Sequence, residues 1–223
     1  MRHVLVVILL STLLHAHAEE RRSLTVPMLA HGAPKIDGVI DEAEWKDAAK
    51  SENFVRGFGA DSETVCFFRA MRDEKTLYLA VECVETEEMI KKLKAVVDKH
   101  DGDPIWEDDE IEIFLDPAGT RKFPYYQIIM NTKGTTFDVQ MKGMKNPDKS
   151  WEPKYEAKVH VGKDRWSVEL ALPFAIFDRT EKIADTWSFN AMHVRSVGEM
   201  LYWAPVQGAE SHVPWHFGTL KMK

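Results

Sequence analysis

The sequence predicts an all-β protein, a two-sheet antiparallel β-sandwich of immunoglobulin-like or jelly-roll-like type with a few short helices. Many short strand-like runs are separated by turn residues, whereas only two or three segments have a helical pattern. The chain of 223 residues is long enough for one sizeable core and too short for two ordinary domains. We therefore expect a single sandwich domain over residues 19–223.

Residues 1–18 have the pattern of a secretory signal peptide. Arg2 precedes an apolar run from Val4 to Leu14, and Ala16-His17-Ala18 resembles a signal cleavage site. This run is far shorter than the roughly 20 residues that span a bilayer. The mature protein should begin near Glu19, and its location should be secreted or periplasmic. A formal net charge of −7 without Lys or Arg clusters predicts neither nucleic acid nor a membrane as partner.

The first part of the mature chain predicts one strand and one helix. Leu24 to Leu29 has strand character and ends before Pro34. Asp41 can cap a short helix from Glu42 to Ala49, which would place Trp45 against the core.

The next segment predicts a β-hairpin with a defined register. Val65 to Arg72 and Leu77 to Val84 flank a four-residue loop, Asp73 to Thr76. Reflection about this loop gives three apolar pairs on the core face, which are Ala70 with Leu79, Phe68 with Val81, and Cys66 with Cys83.

The only two cysteines therefore lie opposite each other. Export permits a disulfide between Cys66 and Cys83, and the alternative is a pair of buried thiols. A metal site is not expected, because no histidine lies near them in the sequence to complete a tetrahedral set. The following segment, Glu87 to Asp98, places apolar residues among lysines and is predicted to be helical.

A strand rich in acidic residues is the most informative element of the sequence. Its alternation places Ile111, Ile113 and Leu115 on the core face, and Glu110, Glu112 and Phe114 on the other. Trp106 enters this strand. A flat ring beside carboxylates suits a sugar, because the ring packs on the pyranose C–H face while hydroxyl groups donate to the acids. The alternative is that Trp106 caps a core and the acids form a solvated face.

The following strand extends the same polar patch. Tyr125 to Asn131 should place Tyr126, Ile128 and Met130 in the core, with Gln127 and Asn131 on the face of Glu112. The preceding loop is rich in carboxylates that suit Ca²⁺ as ligands, although no EF-hand spacing is present. The candidate calcium ligands are Asp101, Asp103, Asp108 and Asp109.

The rest of the chain predicts further β-structure. Tyr155 to Val161 and Arg165 to Leu172 form a second hairpin, with Trp166 in the core. A helical turn follows at Phe174 to Phe177. The last predicted strands are Trp187 to Arg195, Met200 to Trp203 and His216 to Met222.

Several blocks together resemble the family 9 carbohydrate-binding modules and their wider relatives, the DOMON-like β-sandwiches. The segment Asp103 to Pro117 resembles the family block W-x-x-D-x-(I/V)-E-(I/L)-F-(I/L)-D. The resemblance covers about Leu24 to Lys223. The other blocks, in the expected order, are Ile36 to Asp41 with Trp45, Arg72-Asp73 with Leu77 to Val81, Tyr125 to Gly134, Trp166 to Phe174, and Phe217 to Leu220.

This resemblance implies a secreted, non-catalytic module that binds a poly- or oligosaccharide. It implies that Trp106 stacks on the sugar and that Glu112 accepts its hydroxyl groups. A second aromatic residue should lie near Ser211, where Trp215 is the candidate substitute. The resemblance also makes Ca²⁺ possible, and a separate glycoside hydrolase is a candidate partner. The complete candidate binding set is Trp106, Glu112, Gln127, Asn131, Arg195 and Trp215.

Two other function classes compete with saccharide binding, and a sandwich that has lost its sugar face is a further alternative. Glu110 and Glu112 lie two residues apart and have a formally suitable spacing for a glycoside hydrolase. Some DOMON-like sandwiches hold a b-type haem, although no c-type attachment motif is present here. The candidate axial ligands are Met192, His193, His160, His212 and Met200.

Overall fold

The computed structural model describes residues 21–41, 43–177 and 184–222, and the predicted signal peptide at 1–18 lies outside them. The described residues include one α-helix, α1 (Glu87–Ile90), and three 3₁₀ helices, Ile105–Glu107, Phe174–Ile176 and Pro214–His216. The strands are β1 (Ser23–Val26), β2 (Ala49–Lys50), β3 (Val55–Arg56), β4 (Val65–Arg72), β5 (Thr76–Val84), β6 (Glu110–Asp116), β7 (Tyr125–Asn131), β8 (Thr136–Met141), β9 (Pro147–Asp148), β10 (Glu156–Val161), β11 (Arg165–Pro173), β12 (Thr186–Val194), β13 (Met200–Tyr202) and β14 (Gly218–Met222).

These strands form the two-sheet, all-β architecture that the sequence predicts. The larger sheet has the order β1-β14-β12-β6-β7-β8-β9, with β13 and β3 attached beside β12. The smaller sheet has the order β10-β11-β5-β4-β2. One detail differs from the purely antiparallel prediction, because β1 pairs with β14 in parallel. None of the described helices is long and apolar enough to cross a membrane.

The core between the sheets follows from the alternation within the strands. The predicted register of β4 and β5 is confirmed at all three pairs, including Cys66 opposite Cys83. Ile111, Ile113 and Leu115 of β6 face this core, as predicted. Trp166 is also completely buried there.

The outer face of the larger sheet is also buried. Phe114, Tyr125, Met192 and Phe217 belong to a second apolar cluster there, which Ile105 joins from the loop before β6. Every residue of β6, Glu110 and Glu112 included, is buried. The interpretation of the acids as a solvated face is therefore wrong, because long loops cover this side of the sheet.

Both predicted helices are corrected by the structure. The described part of 42–49 is a series of turns that leads into β2. Trp45 is buried, as predicted, and its Nε1 donates to Glu169 Oε1 at 2.7 Å. The predicted helix from Glu87 to Asp98 ends at Ile90. Beyond it, peptide N–H groups donate to side chains from the loop before β6 instead of to their own carbonyl groups.

Candidate functional site

The outer face of the larger sheet contains an open cavity of about 480 Å³. It lies over the middle of the sheet, where β6, β7, β8 and β12 are neighbours. Its walls are largely apolar, with a few polar side chains among them. The lining residues are Trp106, Glu112, Gln127, Ile129, Phe137, Val139, Met141, Met144, Lys145, Pro147, Met192, Val194, Met200, Ser211 and His212.

The polar floor of this cavity consists of Glu112 and Gln127. β6 and β7 pair so that Glu112 lies opposite Ile129, which brings Gln127 to a diagonal position on the same face. Gln127 Nε2 donates to Glu112 Oε2 at 2.6 Å. The predicted patch of Glu112 and Gln127 therefore exists, and it presents acceptor and donor atoms to the cavity.

Glu112 has a second acidic neighbour, Glu110, on the same face of β6. Glu110 is completely buried, does not line the cavity, and meets no hydrogen-bond donor among the described residues. Burial, together with the charge of Glu112, raises the pKa of Glu110 far above 4.5. Burial also raises the pKa of Glu112, and the hydrogen bond from the Gln127 amide opposes this rise. At neutral pH the pair therefore retains at least one proton.

Trp106 lies at the rim of the cavity and is 48% exposed. It belongs to the 3₁₀ helix Ile105–Glu107 and not to the strand that the sequence predicts. Its ring contacts Phe137 edge to face, with centroids 6.1 Å apart. The neighbouring Ile105 is completely buried and anchors this turn. A large part of the indole surface is thus held in place and left open to a ligand.

Asp108 and Asp109 hold the loop that carries Trp106. Asp108 accepts the N–H groups of Val96 and Val97 at 2.7 and 3.0 Å. Asp109 accepts the N–H group of Lys94 at 2.5 Å and also bonds Ser196. Both carboxylates are buried and occupied by these donors.

The two other predicted calcium ligands also have protein partners. Asp101 accepts the N–H group of Asp138 at 2.9 Å. Asp103 pairs with Lys149, also at 2.9 Å. Calcium binding stays a prediction for these residues.

We predict that Asp108→Ala destabilises the protein by roughly 1–3 kcal/mol, because it removes the acceptor of the buried Asn131 amide and of the Val96 and Val97 N–H groups. Amide hydrogen exchange at these two residues should become faster than in the wild type. Glu107→Ala removes an exposed neighbouring carboxylate and serves as the control. Equal exchange rates in the two variants would contradict this role of Asp108.

Three predicted binding residues lie outside the cavity. The Asn131 amide is buried and donates to Asp108 and to the Val97 carbonyl group. Arg195 is buried and pairs with Glu85 at 2.6 Å. Trp215 is 47% exposed and does not line the cavity with Trp106.

Arg195 lines a second, larger recess of about 830 Å³. Charged residues such as Arg56, Glu63 and Glu199 contribute to it, and no aromatic side chain is among its described lining residues. Stacking on a ring is therefore possible in the smaller cavity and not in this recess.

The sequence reasoning missed part of the cavity wall. Ser211 and His212 line it at the position where the resemblance places a second aromatic residue. Tyr125 lies within hydrogen-bond distance of His212, with its hydroxyl oxygen 2.6 Å from Nδ1. Burial lowers the pKa of His212, so its imidazole is neutral at physiological pH. The cavity wall also includes four methionines that no local sequence signal marks. They are Met141, Met144, Met192 and Met200, of which Met144 lies in a loop and Met200 in the short strand β13.

The competing catalytic and haem interpretations receive no support from the side-chain positions. Glu110 and Glu112 are neighbours on one strand and do not face each other across a cleft. Of the five candidate haem ligands, only His193 lies in the core between the sheets. Met192 points to the opposite face, and His160 is exposed on β10.

The cysteines form a disulfide between β4 and β5 in the structure, with the two Cα atoms 4.3 Å apart. His193 of the other sheet lies beside it. The sequence analysis found no histidine close to the cysteines along the chain, and the inference that none lies beside them in the fold is wrong. β12, far away in sequence, supplies His193.

The protein is thus an all-β sandwich whose larger sheet carries, on its outer face, a cavity with an aromatic rim and a polar floor. A family model described as "Carbohydrate family 9 binding domain-like" matches residues 36–223. The chain belongs to this family of non-catalytic carbohydrate-binding modules. No curated protein matches the chain.

Solved structures share this fold at low sequence identity. A family 9 module from Caldicellulosiruptor kristjanssonii, in complex with glucose, has 20% identity and a TM-score of 0.64 over 91% of this chain and 96% of that one. A family 9 module from the same organism, in complex with cellotriose, has 20% identity and a TM-score of 0.61 over 91% of this chain and 94% of that one. A candidate carbohydrate-binding protein of Bacteroides uniformis ATCC 8492 has 18% identity and a TM-score of 0.72, over 91% and 100%.

Proposed function

We propose that this protein binds a saccharide in the cavity on the outer face of the larger sheet, with the sugar stacked on Trp106. The observation that carries this proposal is the placement of a half-exposed indole beside a buried carboxylate and amide in one cavity. Family membership supports carbohydrate as the ligand class. The similar structures that contain glucose and cellotriose support glucose-based saccharides as the first to test.

The proposed contacts with the sugar are of two kinds, apolar stacking and hydrogen bonds. Trp106 packs on the C–H face of one sugar ring, while Glu112 and Gln127 hydrogen-bond its hydroxyl groups. Ser211 and His212 offer further polar atoms from the facing wall. Only one exposed aromatic platform lines the described cavity. A single stacking contact contributes about 0.5–1.5 kcal/mol beyond area burial, so we expect weak affinity.

We predict that Trp106→Ala weakens saccharide binding at least about tenfold, because it removes both the stacking contact and the buried ring area. Titration with glucose, cellotriose and a panel of other oligosaccharides, followed by tryptophan fluorescence and calorimetry, measures the effect. Trp215→Ala is a closely matched control, since Trp215 has nearly the same exposure and also lies in a 3₁₀ helix. Equal loss in both variants, or unchanged binding by Trp106→Ala, would refute the stacking site.

We also propose that the protein works outside the cytoplasm, beside a separate glycoside hydrolase. The signal-like residues 1–18 support export, and membership of a family of non-catalytic binding modules supports a separate enzyme as partner. Fractionation of the producing cells, with mass spectrometry of the mature N-terminus, tests export. Recovery of the full chain in the cytoplasm would contradict it.

A further inference from the structure

Three side chains that can bind a metal meet at one point in the core between the sheets. Cys66 and Cys83 face each other across β4 and β5 in the smaller sheet. His193 reaches them from β12 in the larger sheet. The two sulfur atoms and one imidazole nitrogen all lie within 4.8 Å of one another. This cluster is distinct from the saccharide cavity, which lies on the opposite face of the larger sheet.

His193 is an unusual core residue. It is completely buried, and neither of its ring nitrogens has a hydrogen-bond partner among the described residues. Leaving a buried polar group without a partner costs roughly 1–3 kcal/mol, and native structures seldom retain one without a reason.

A buried carboxylate stands behind the imidazole. Glu85 Oε1 lies 3.9 Å from His193 Nε2 and has no donor of its own among the described side chains. Its other oxygen accepts from Arg195 at 2.6 Å, which fixes the group in place. Carboxylates commonly orient the histidine ligands of metal ions from this outer position.

We propose that Cys66, Cys83 and His193 bind one Zn²⁺ ion when their disulfide is reduced, so that the disulfide and the zinc site are alternative states of the same cluster. Two thiol molecules supply two electrons and two protons to the S–S bond and leave as their own disulfide. Zn²⁺ then binds the two sulfurs as thiolates and releases both protons. Bond lengths of about 2.3 Å to sulfur and 2.0 Å to nitrogen place ligand atoms roughly 3.5–3.8 Å apart. The ligand atoms of the present cluster already lie within 4.8 Å of one another.

The first test uses Co²⁺ as a spectroscopic substitute for Zn²⁺. The whole protein is reduced with an excess of dithiol, desalted without oxygen and titrated with Co²⁺. We expect one Co²⁺ per chain, with the thiolate charge-transfer and visible bands of tetrahedral coordination, and displacement by one equivalent of Zn²⁺. The oxidised protein should show no such bands, because a disulfide offers no thiolates. Circular dichroism shows whether the reduced chain stays folded, and its unfolding would overturn the proposal.

The second test separates His193 from the sulfurs. His193→Phe keeps a ring of similar size in the core and removes the unpartnered nitrogens, so the variant is expected to fold. Its reduced form should bind Co²⁺ at least tenfold more weakly and with altered bands. His160→Phe, at an exposed position on β10, is the matched control and should behave as the wild type. Absence of stoichiometric binding by the reduced wild type, or an unchanged spectrum in His193→Phe, would overturn the proposal.

Discussion

Glu169→Ala is expected to destabilise the protein by about 3–5 kcal/mol, because it leaves three donors, two of them buried, without an acceptor. Glu169 on β11 is completely buried. Its Oε2 accepts the N–H groups of Asp37 and Gly38 at 2.9 and 2.7 Å, and its Oε1 accepts Trp45 Nε1 at 2.7 Å. This one carboxylate therefore fixes the N-terminal segment over the outer face of the smaller sheet.

Denaturant unfolding of the mature protein measures this loss as a lower midpoint. Glu156→Ala is the matched control, since Glu156 is an exposed acid on the adjacent strand β10, and its effect should stay within about 0.5 kcal/mol. Glu169→Gln keeps one carbonyl acceptor and should fall between the two. If Glu169→Ala unfolds at the same midpoint as Glu156→Ala, the anchoring role is disproved.

Local pairing in this fold could be predicted from the sequence. The hairpin of β4 and β5 has a short loop. Its alternating residues allow one register in which apolar side chains lie opposite each other on the core face. The same logic correctly placed Gln127 beside Glu112, because β6 and β7 are neighbours along the chain. Where the turn and the period of two decide the geometry, the sequence is sufficient.

Contacts between distant segments could not be predicted in this way. The helix expected from Glu87 to Asp98 ends early because Asp108 and Asp109 accept peptide N–H groups that a helix would otherwise use. The acids of β6 looked solvated because the loops that bury them come from other parts of the chain. His193 approaches the cysteines only because the two sheets pack face to face. In each case the deciding partner lies far away in sequence, where periodicity carries no information.

Glu110→Gln is expected to stabilise the protein by a few kcal/mol near pH 8 and to flatten the pH dependence of its stability. Burial and the charge of Glu112 raise the pKa of Glu110 above its ordinary value of 4.5. Above that pH the native state keeps a proton that the unfolded chain releases. Stability therefore falls as the pH rises, by about 1.4 kcal/mol per pH unit for each retained proton. Glutamine is a neutral side chain of the same shape and has no proton to lose.

Denaturant unfolding of both proteins at intervals from about pH 5 to pH 8 isolates this effect. Burial also raises the pKa values of Glu85, Asp138 and Glu169, which adds slope of the same sign, and it lowers that of His193, which acts in the opposite direction below pH 6.5. These groups are common to both proteins and cancel in the difference. Equal slopes would show that Glu110 is ionised in the native state. A flatter slope in the variant would mean that Glu110 keeps its proton in the native state, next to Glu112, whose own pKa burial raises to about 7.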